Sequence, residues 1–203
     1  VPKNHVGLAS GTLFSGFTTG ILLGSLVAMT INAKFEPQAV LDYAWRLPFL
    51  LGGVFGVFAL YLRRWLEETP VFLAMKEQKA LASELPLKRV IRLHKAEIWP
   101  SMLLTWFLSA GIVTLTLLTP SIMQTQFQYS AEAALQANSI AIVCLTAGCI
   151  FWGWLADKLG ALRVLMFGAV LLAAFSYLFY SSLPSDLPRT VLLYSLAGFS
   201  LGS

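Results

Sequence analysis

Long apolar runs separated by short charged segments dominate the pattern of this chain. Five runs are long enough to cross a membrane: residues 7–31, 47–62, 98–123, 134–156 and 163–183. About 20 apolar residues in a helix cover the hydrocarbon core of a bilayer, and the second run reaches this length when Trp45 and Trp65 are included. None of the runs has a charge in its middle. The pattern therefore predicts five transmembrane helices.

A sixth apolar run, residues 190–203, is too short to cross. Its 14 residues would rise about 21 Å as a helix, against a hydrocarbon core of roughly 30 Å. We therefore expect a truncated sixth helix, and a chain that is a piece of a longer protein. The first run is too long for a secretory signal and no cleavage site of small residues follows it, so no signal peptide is predicted.

The composition excludes a soluble domain. Charged residues make up 12% of the chain and hydrophobic residues 57%, whereas soluble domains carry about 25% charged residues. The predicted fold class is an all-α polytopic transmembrane helix bundle, and its main surroundings are the lipid bilayer.

No group of residues predicts an enzyme. Cys144 and Cys149 both lie within an apolar run and form neither a zinc spacing nor a disulfide framework. The two histidines, His5 and His94, are far apart in the sequence. We expect packing cysteines, surface histidines, and no catalytic residue, metal or organic cofactor.

The basic residues predict which loops are cytoplasmic, because Lys and Arg concentrate on that side of a membrane. If residues 1–6 are cytoplasmic, eleven of the fourteen Lys and Arg fall on that side. Eight of these lie in the long polar segment 63–95, where the stretch after Pro86 is typical of a helix lying on a membrane surface. We interpret the basic charge as a topology signal and not as a nucleic-acid site.

Residues 153–163 concentrate charge in a chain that has little of it, with one acid, two bases and two glycines. Asp157 needs a partner, because a carboxylate near a helix C-terminus opposes the helix dipole. The N-terminus of a neighbouring helix would accept it, and Lys158 or Arg163 could also pair with it. A contact made in one state and broken in another would make this turn a gate. The alternative is a solvated loop whose bases only set the topology.

Small and polar residues mark the runs that are expected to pack or to line a cavity. Gly16, Gly20 and Gly24 share one face of the first run, and Gly7 and Gly11 have the same spacing, which permits close helix packing in lipid. Hydroxyls in this run either bond to carbonyls of their own helix or face a watery cavity. Candidate cavity-lining residues in later runs are Thr105, Trp106, Ser109, Gln136, Asn138 and Ser139. For Trp106 the alternative is ordinary packing.

The turn Gly-x-Leu-x-Asp-Lys-x-Gly that begins at Gly153 resembles a signature of the major facilitator superfamily. In that family it lies between the second and third helices and recurs between the eighth and ninth. The position after the second glycine is usually basic in the family; here it is Ala161, and the base follows at Arg163.

Three further stretches are similar to the metabolite:proton symporter branch of that family, which is close to the sugar porters. Residues 45–49 resemble the Trp-Arg-x-Pro-Phe start of its sixth helix, and residues 63–72 its Glu-Thr-Pro exit. Residues 2–7 resemble the basic stretch before the fifth helix. Their order matches the middle of a twelve-helix transporter.

The resemblance implies a chain that covers about helices five to ten. Residues 1–70 would be the end of the N-terminal helical half, residues 71–96 the cytoplasmic loop between the halves, and residues 97–203 much of the C-terminal half. It also implies a multi-pass protein of a bacterial inner membrane.

The implied function is secondary active transport of a small polar metabolite, an organic acid or a zwitterion, by proton symport with alternating access. Protons are the expected coupling ion and the solute the expected partner. The gating residues would be Gly153, Asp157, Lys158, Gly160 and Arg163. Contacts between the halves would involve Arg63, Arg64, Glu67 and Glu68.

Two alternatives stay open on the sequence alone. The same fold could transport a sugar or a drug, or the chain could belong to a membrane scaffold that transports nothing. The pattern carries no signal for the identity of the solute or for an oligomeric state.

Overall fold

The computed structural model describes residues 5–65, 91, 93–183 and 186–203, and its regular structure in these ranges is entirely helical. The helices are α1 (Val6–Lys34), α2 (Pro37–Asp42), α3 (Leu47–Arg63), α4 (Lys95–Val113), α5 (Thr119–Thr125), α6 (Ala131–Leu159), α7 (Ala161–Ser181) and α8 (Leu187–Leu201). A 3-10 turn (Ala44–Arg46) precedes α3, and a π-helical segment (Thr114–Leu118) joins α4 to α5. The predicted all-α fold class is confirmed.

Five helical stretches have the length and apolar composition of membrane spans. They are Val6–Lys34, Ala44–Arg63, Lys95–Thr125, Ala131–Leu159 and Ala161–Ser181. These are the five predicted spans, with bounds that differ by a few residues because polar end residues continue the helical hydrogen bonds beyond the apolar run. The predicted short sixth helix is α8, which has 15 residues.

The chain groups into two compact units, Val1–Trp45 with Ala110–Ser203, and Arg46–Ser109. The first unit brings α1 together with α5, α6, α7 and α8. In the second unit, α3 has no buried residue among those described. The division of the chain at residues 70 and 96 depends on the family resemblance and stays a prediction.

Helix α6 is in backbone contact with α1 through glycines. A Cβ built on Gly11 would lie 2.3 Å from the carbonyl oxygen of Cys149, and one on Gly153 would lie 2.5 Å from that of Gly7. Small residues therefore bring these helices together as expected in lipid. The stripe of Gly16, Gly20 and Gly24 differs, since no described atom lies within 4 Å of a Cβ at any of them.

The contact between α6 and α8 also depends on glycines, which no sequence pattern marks. A Cβ on Gly198 would lie 2.5 Å from the carbonyl oxygen of Ala141, and one on Gly148 would lie 2.4 Å from that of Phe199. Near this contact the fully buried rings of Phe179 and Tyr194 stack with centroids 4.9 Å apart. Helix α6 is thus the element against which both α1 and α8 pack.

The hydroxyls of α1 mostly bond within their own helix. Thr12, Ser15 and Thr19 each donate to a carbonyl three or four residues earlier. Thr18 does the same and also meets Thr146 Oγ1 of α6 at 2.8 Å. The local interpretation of these hydroxyls is confirmed for the residues named, and Thr18 adds a polar contact between helices.

Candidate functional site

The carboxylate of Asp157 caps the N-terminus of α1. Gly7 N donates to Oδ1 over 2.6 Å and Leu8 N donates to Oδ2 over 2.8 Å. His5, at the N-cap of α1, makes no side-chain cap hydrogen bond, and the first turn of α1 contains no acid. The carboxylate therefore satisfies free N–H groups and lies at the positive end of the helix dipole. The helix N-terminus expected as a partner for Asp157 is present, 150 residues away in the sequence.

Two glycines make this contact possible. A Cβ on Gly7 would lie 2.4 Å from the carbonyl oxygen of Gly153 and 2.9 Å from Oδ1 of Asp157. Because neither glycine has a side chain, the two backbones approach closely enough for a short aspartate to reach α1. Gly153 thus permits the close helix contact that its position predicted, while its role in gating stays a prediction.

The bases of the turn have other surroundings. Lys158 Nζ lies 3.8 Å from the ring centroid of Trp154, which is a cation–π contact. Arg163 lies in the first turn of α7, after the chain has reversed. Both described hydrogen-bond donors to Asp157 are main-chain groups of α1, so the helix terminus and not a basic side chain compensates its charge.

Gly160 ends helix α6 and does not continue its face. The helix stops at Leu159, so the shared face of Gly153, Asp157 and Gly160 that a continuous helix would give is not formed. Gly160 has φ +91° and ψ 137°, a conformation that residues with a side chain rarely adopt. It turns the chain directly from α6 into α7.

Gly160→Ala is expected to destabilise the protein although no described atom lies within 4 Å of the added Cβ. The cost comes from the positive φ alone and should be about 1–3 kcal/mol. Thermal unfolding of the purified protein measures it. Gly52→Ala, in open space within α3 and without a positive φ, is the control; equal unfolding temperatures for the two variants would contradict the prediction.

The predicted contacts between halves are described only in part. Arg63 is the last residue of α3 and Arg64 follows as its C-cap. Glu67 and Glu68 lie outside the described residues. The role of all four stays a prediction.

A pocket of about 500 Å³ lies between α1, α6, the π-helical segment and α5. This volume is in the usual range for small-molecule sites. Its polar lining consists of Ser25, Thr116, Ser121, Gln124, Thr125 and Asn138, with no charged or aromatic side chain. It offers neutral hydrogen-bonding groups in apolar walls.

A buried polar network adjoins the pocket and shares Asn138 and Ser25 with its lining. Asn138 Nδ2 donates to Ser25 Oγ over 3.3 Å, and Ser25 Oγ lies 3.0 Å from Ser139 Oγ. The hydroxyl of Tyr194 lies 2.8 Å from Asn138 Oδ1 and also donates to the carbonyl oxygen of Leu115. Four segments of the fold thus meet at Asn138 or at its direct neighbours.

The structure places the predicted cavity residues in different surroundings. Asn138 lines the pocket and Ser139 bonds to Ser25 beside it. Gln136 donates to Glu132 on the exposed face of α6. Thr105, Trp106 and Ser109 lie on α4 and are exposed among the described residues. Their role as a substrate lining stays a prediction.

Sequence reasoning missed Ser25, Tyr194 and the π-helical segment. Nothing local marks a single serine or tyrosine as the member of a network that joins distant helices. Pro120 was a usable signal, since a proline inside an apolar run removes a helical N–H and forces a local change of hydrogen bonding.

Comparisons with known proteins agree with this architecture. The family model of the Major Facilitator Superfamily matches residues 1–203. A putative proline/betaine transporter of Staphylococcus aureus (strain COL) is 28% identical over 188 residues, which are 91% of this chain and 39% of the relative. The proline/betaine transporter of Escherichia coli (strain K12) is 27% identical over 183 residues, 84% of this chain and 36% of the relative.

A third relative is the glycine betaine/proline/ectoine/pipecolic acid transporter OusA of Dickeya dadantii (strain 3937). It is 29% identical over 181 residues, which are 83% of this chain and 35% of the relative. The chain therefore spans well under half the length of these relatives. No solved structure matches.

The family model covers the whole chain, and the relatives are bacterial transporters. With five apolar helices long enough to span a membrane, this makes the protein a multi-pass protein of a bacterial inner membrane. The chain belongs to the major facilitator superfamily.

Proposed function

We propose that this chain is the middle part of a secondary active transporter that moves a small zwitterionic or organic-acid metabolite by proton symport. The relatives named above are called transporters of proline and betaine, both of which are zwitterions. The neutral polar pocket beside Asn138 fits part of such a solute, and its charged ends would be recognised by residues outside this lining.

The contact between Asp157 and the N-terminus of α1 is the observation that supports alternating access most directly. It joins two elements that are 150 residues apart and that the family resemblance assigns to opposite halves of the transporter. The described donors to this carboxylate are two main-chain N–H groups, so it can be released when the first turn of α1 moves away from α6, without breaking a covalent bond. We infer that this contact is the cytoplasmic latch and that it is closed in the arrangement described.

Proton coupling requires a titrating group along the pathway. The middle of each predicted span is free of charge, so that group would be either a charged residue at a helix end or a residue in the part of the relatives that this chain does not cover. The chain itself would contribute the latch and one wall of the solute site.

Uptake by the full-length transporter in proteoliposomes tests the proposal. An inward proton gradient should drive accumulation of radiolabelled proline or betaine, and a protonophore should abolish it. Accumulation that follows a sodium gradient instead would contradict proton symport. Uptake of sugars or drugs but of neither zwitterion would contradict the solute class, and a correctly inserted protein without uptake of any of these would favour a scaffold.

A further inference from the structure

The π-helical segment and Pro120 together deprive the main-chain carbonyl of Leu115 of its helical donor. In this segment the N–H of Thr119 donates to the carbonyl oxygen of Thr114, five residues earlier. The corresponding donor for Leu115 would be residue 120, and Pro120 has no N–H. Leu115 is only 8% exposed, so its carbonyl needs a donor from elsewhere in the protein.

Tyr194 of α8 supplies this donor. Its side chain is fully buried, and its hydroxyl donates to the carbonyl oxygen of Leu115. The same hydroxyl lies 2.8 Å from Oδ1 of Asn138. A phenol carries a single proton, so Tyr194 cannot donate fully to both acceptors at once.

Asn138 connects this hydroxyl to the pocket. It lines the pocket together with Ser25, to which its Nδ2 donates. Oδ1 is an amide oxygen with two lone pairs, so a solute N–H or O–H can donate to it beside the hydroxyl of Tyr194. Tyr194 then holds this acceptor in the orientation that the solute meets, and with a second donor on Oδ1 the phenolic proton can shift toward the carbonyl of Leu115.

We propose that Tyr194 is a positioning residue that orients Asn138 toward the solute and couples occupancy of the pocket to the π-helical segment. The solute group that this arrangement favours is an N–H or O–H donor. The inference rests on the proposed transport function and specifies one contact within it. Irregular helical turns of this kind are common at functional sites. Here the carbonyl oxygen of Leu115 in the π-helical segment and Oδ1 of Asn138 in the pocket wall both accept from the hydroxyl of Tyr194.

Tyr194→Phe tests the proposal, because it removes the hydroxyl and keeps the ring that stacks on Phe179. Proline has N–H donors and betaine, whose nitrogen is fully methylated, has none. In full-length protein the variant should raise the KM for proline by about tenfold and the KM for betaine by less than twofold. A loss of structure alone would not change the ratio of the two KM values.

Two further variants separate the route through Asn138 from general destabilisation. In an Asn138→Ala background, Tyr194→Phe should change the KM for proline by less than twofold, because the residue on which it acts is gone. Tyr177→Phe is the matched control: Tyr177 is 74% exposed, and no described hydrogen bond joins its hydroxyl to Asn138 or Tyr194. It should leave the ratio of KM values unchanged.

Pro120→Ala provides a second route if Tyr194→Phe does not reach the membrane. Alanine restores the N–H at position 120, which can donate to the carbonyl of Leu115. The double variant Pro120→Ala/Tyr194→Phe should therefore insert into the membrane. Its ratio of KM values for proline and betaine is compared with that of Pro120→Ala alone. The inference would be overturned by an unchanged ratio of KM values, or by equal effects of Tyr194→Phe with and without Asn138. The proposed function itself would be overturned if the unmodified transporter took up neither proline nor betaine.

Discussion

Asp157→Asn in the full-length transporter is expected to lower the maximal rate of solute uptake by about tenfold or more at equal membrane abundance. Asparagine keeps one acceptor oxygen but places an amide NH₂ against one of the two N–H groups of Gly7 and Leu8 that the carboxylate now accepts. It also removes the negative charge from the positive end of α1. Charge-assisted hydrogen bonds contribute about 1.5–3 kcal/mol each, and each 1.4 kcal/mol is about a tenfold change in an equilibrium.

Opening of the latch should also be visible without transport. Cys149 is 3% exposed and its carbonyl faces Gly11, so α1 covers this part of α6. In a Cys144→Ser background, Asp157→Asn should increase labelling of Cys149 by a maleimide added to inverted membranes. This readout reports exposure of Cys149 in α6, against which α1 and the C-terminal end of α8 both lie, and does not depend on the identity of the solute.

Asp186→Asn is the matched control for this substitution. Asp186 is the N-cap residue of α8 and makes no side-chain cap hydrogen bond, so removal of its charge breaks no described contact. Uptake and labelling should stay as in the unmodified protein. If Asp157→Asn behaves like this control, the turn is a solvated loop that only sets topology.

The part of this site that the sequence predicted is the part that local chemistry determines. A carboxylate near a helix C-terminus is unfavourable wherever the helix lies, so Asp157 could be assigned a helix N-terminus as a partner before any fold was known. That α1 provides it could not be derived, because two segments 150 residues apart meet only through the tertiary packing. The spans were predictable for the same local reason, since the bilayer sets their length and composition.

Features that depend on packing between helices were not predictable. Gly7 and Gly11 contact α6, whereas Gly16, Gly20 and Gly24, with identical spacing, meet no described atom within 4 Å. Spacing shows that residues share a face, and it does not show which face is covered. The network around Asn138 was hidden in the same way, since its members come from separate helices and none is unusual by itself.

Gly11→Ala and Gly20→Ala are expected to change stability in opposite directions, although both put alanine into the same helix. The Cβ at position 11 would lie 2.3 Å from the carbonyl oxygen of Cys149, and a backbone carbonyl within α6 cannot move away without displacing that helix. Overpacking of this kind costs about 1–3 kcal/mol. At position 20 no described atom is within 4 Å, so the better helix propensity of alanine should stabilise by up to about 1 kcal/mol.

Thermal unfolding of the purified protein, followed by tryptophan fluorescence, measures both variants. For a chain of this size, 1 kcal/mol corresponds to about 2–4 °C, so Gly11→Ala should unfold several degrees below Gly20→Ala. Gly11→Ala should also increase labelling of Cys149, because the crossing of α1 over α6 holds the first turn of α1 within reach of Asp157. Equal unfolding temperatures and equal labelling would show that the crossing tolerates a methyl group, and the latch would then have to be held by its two hydrogen bonds alone.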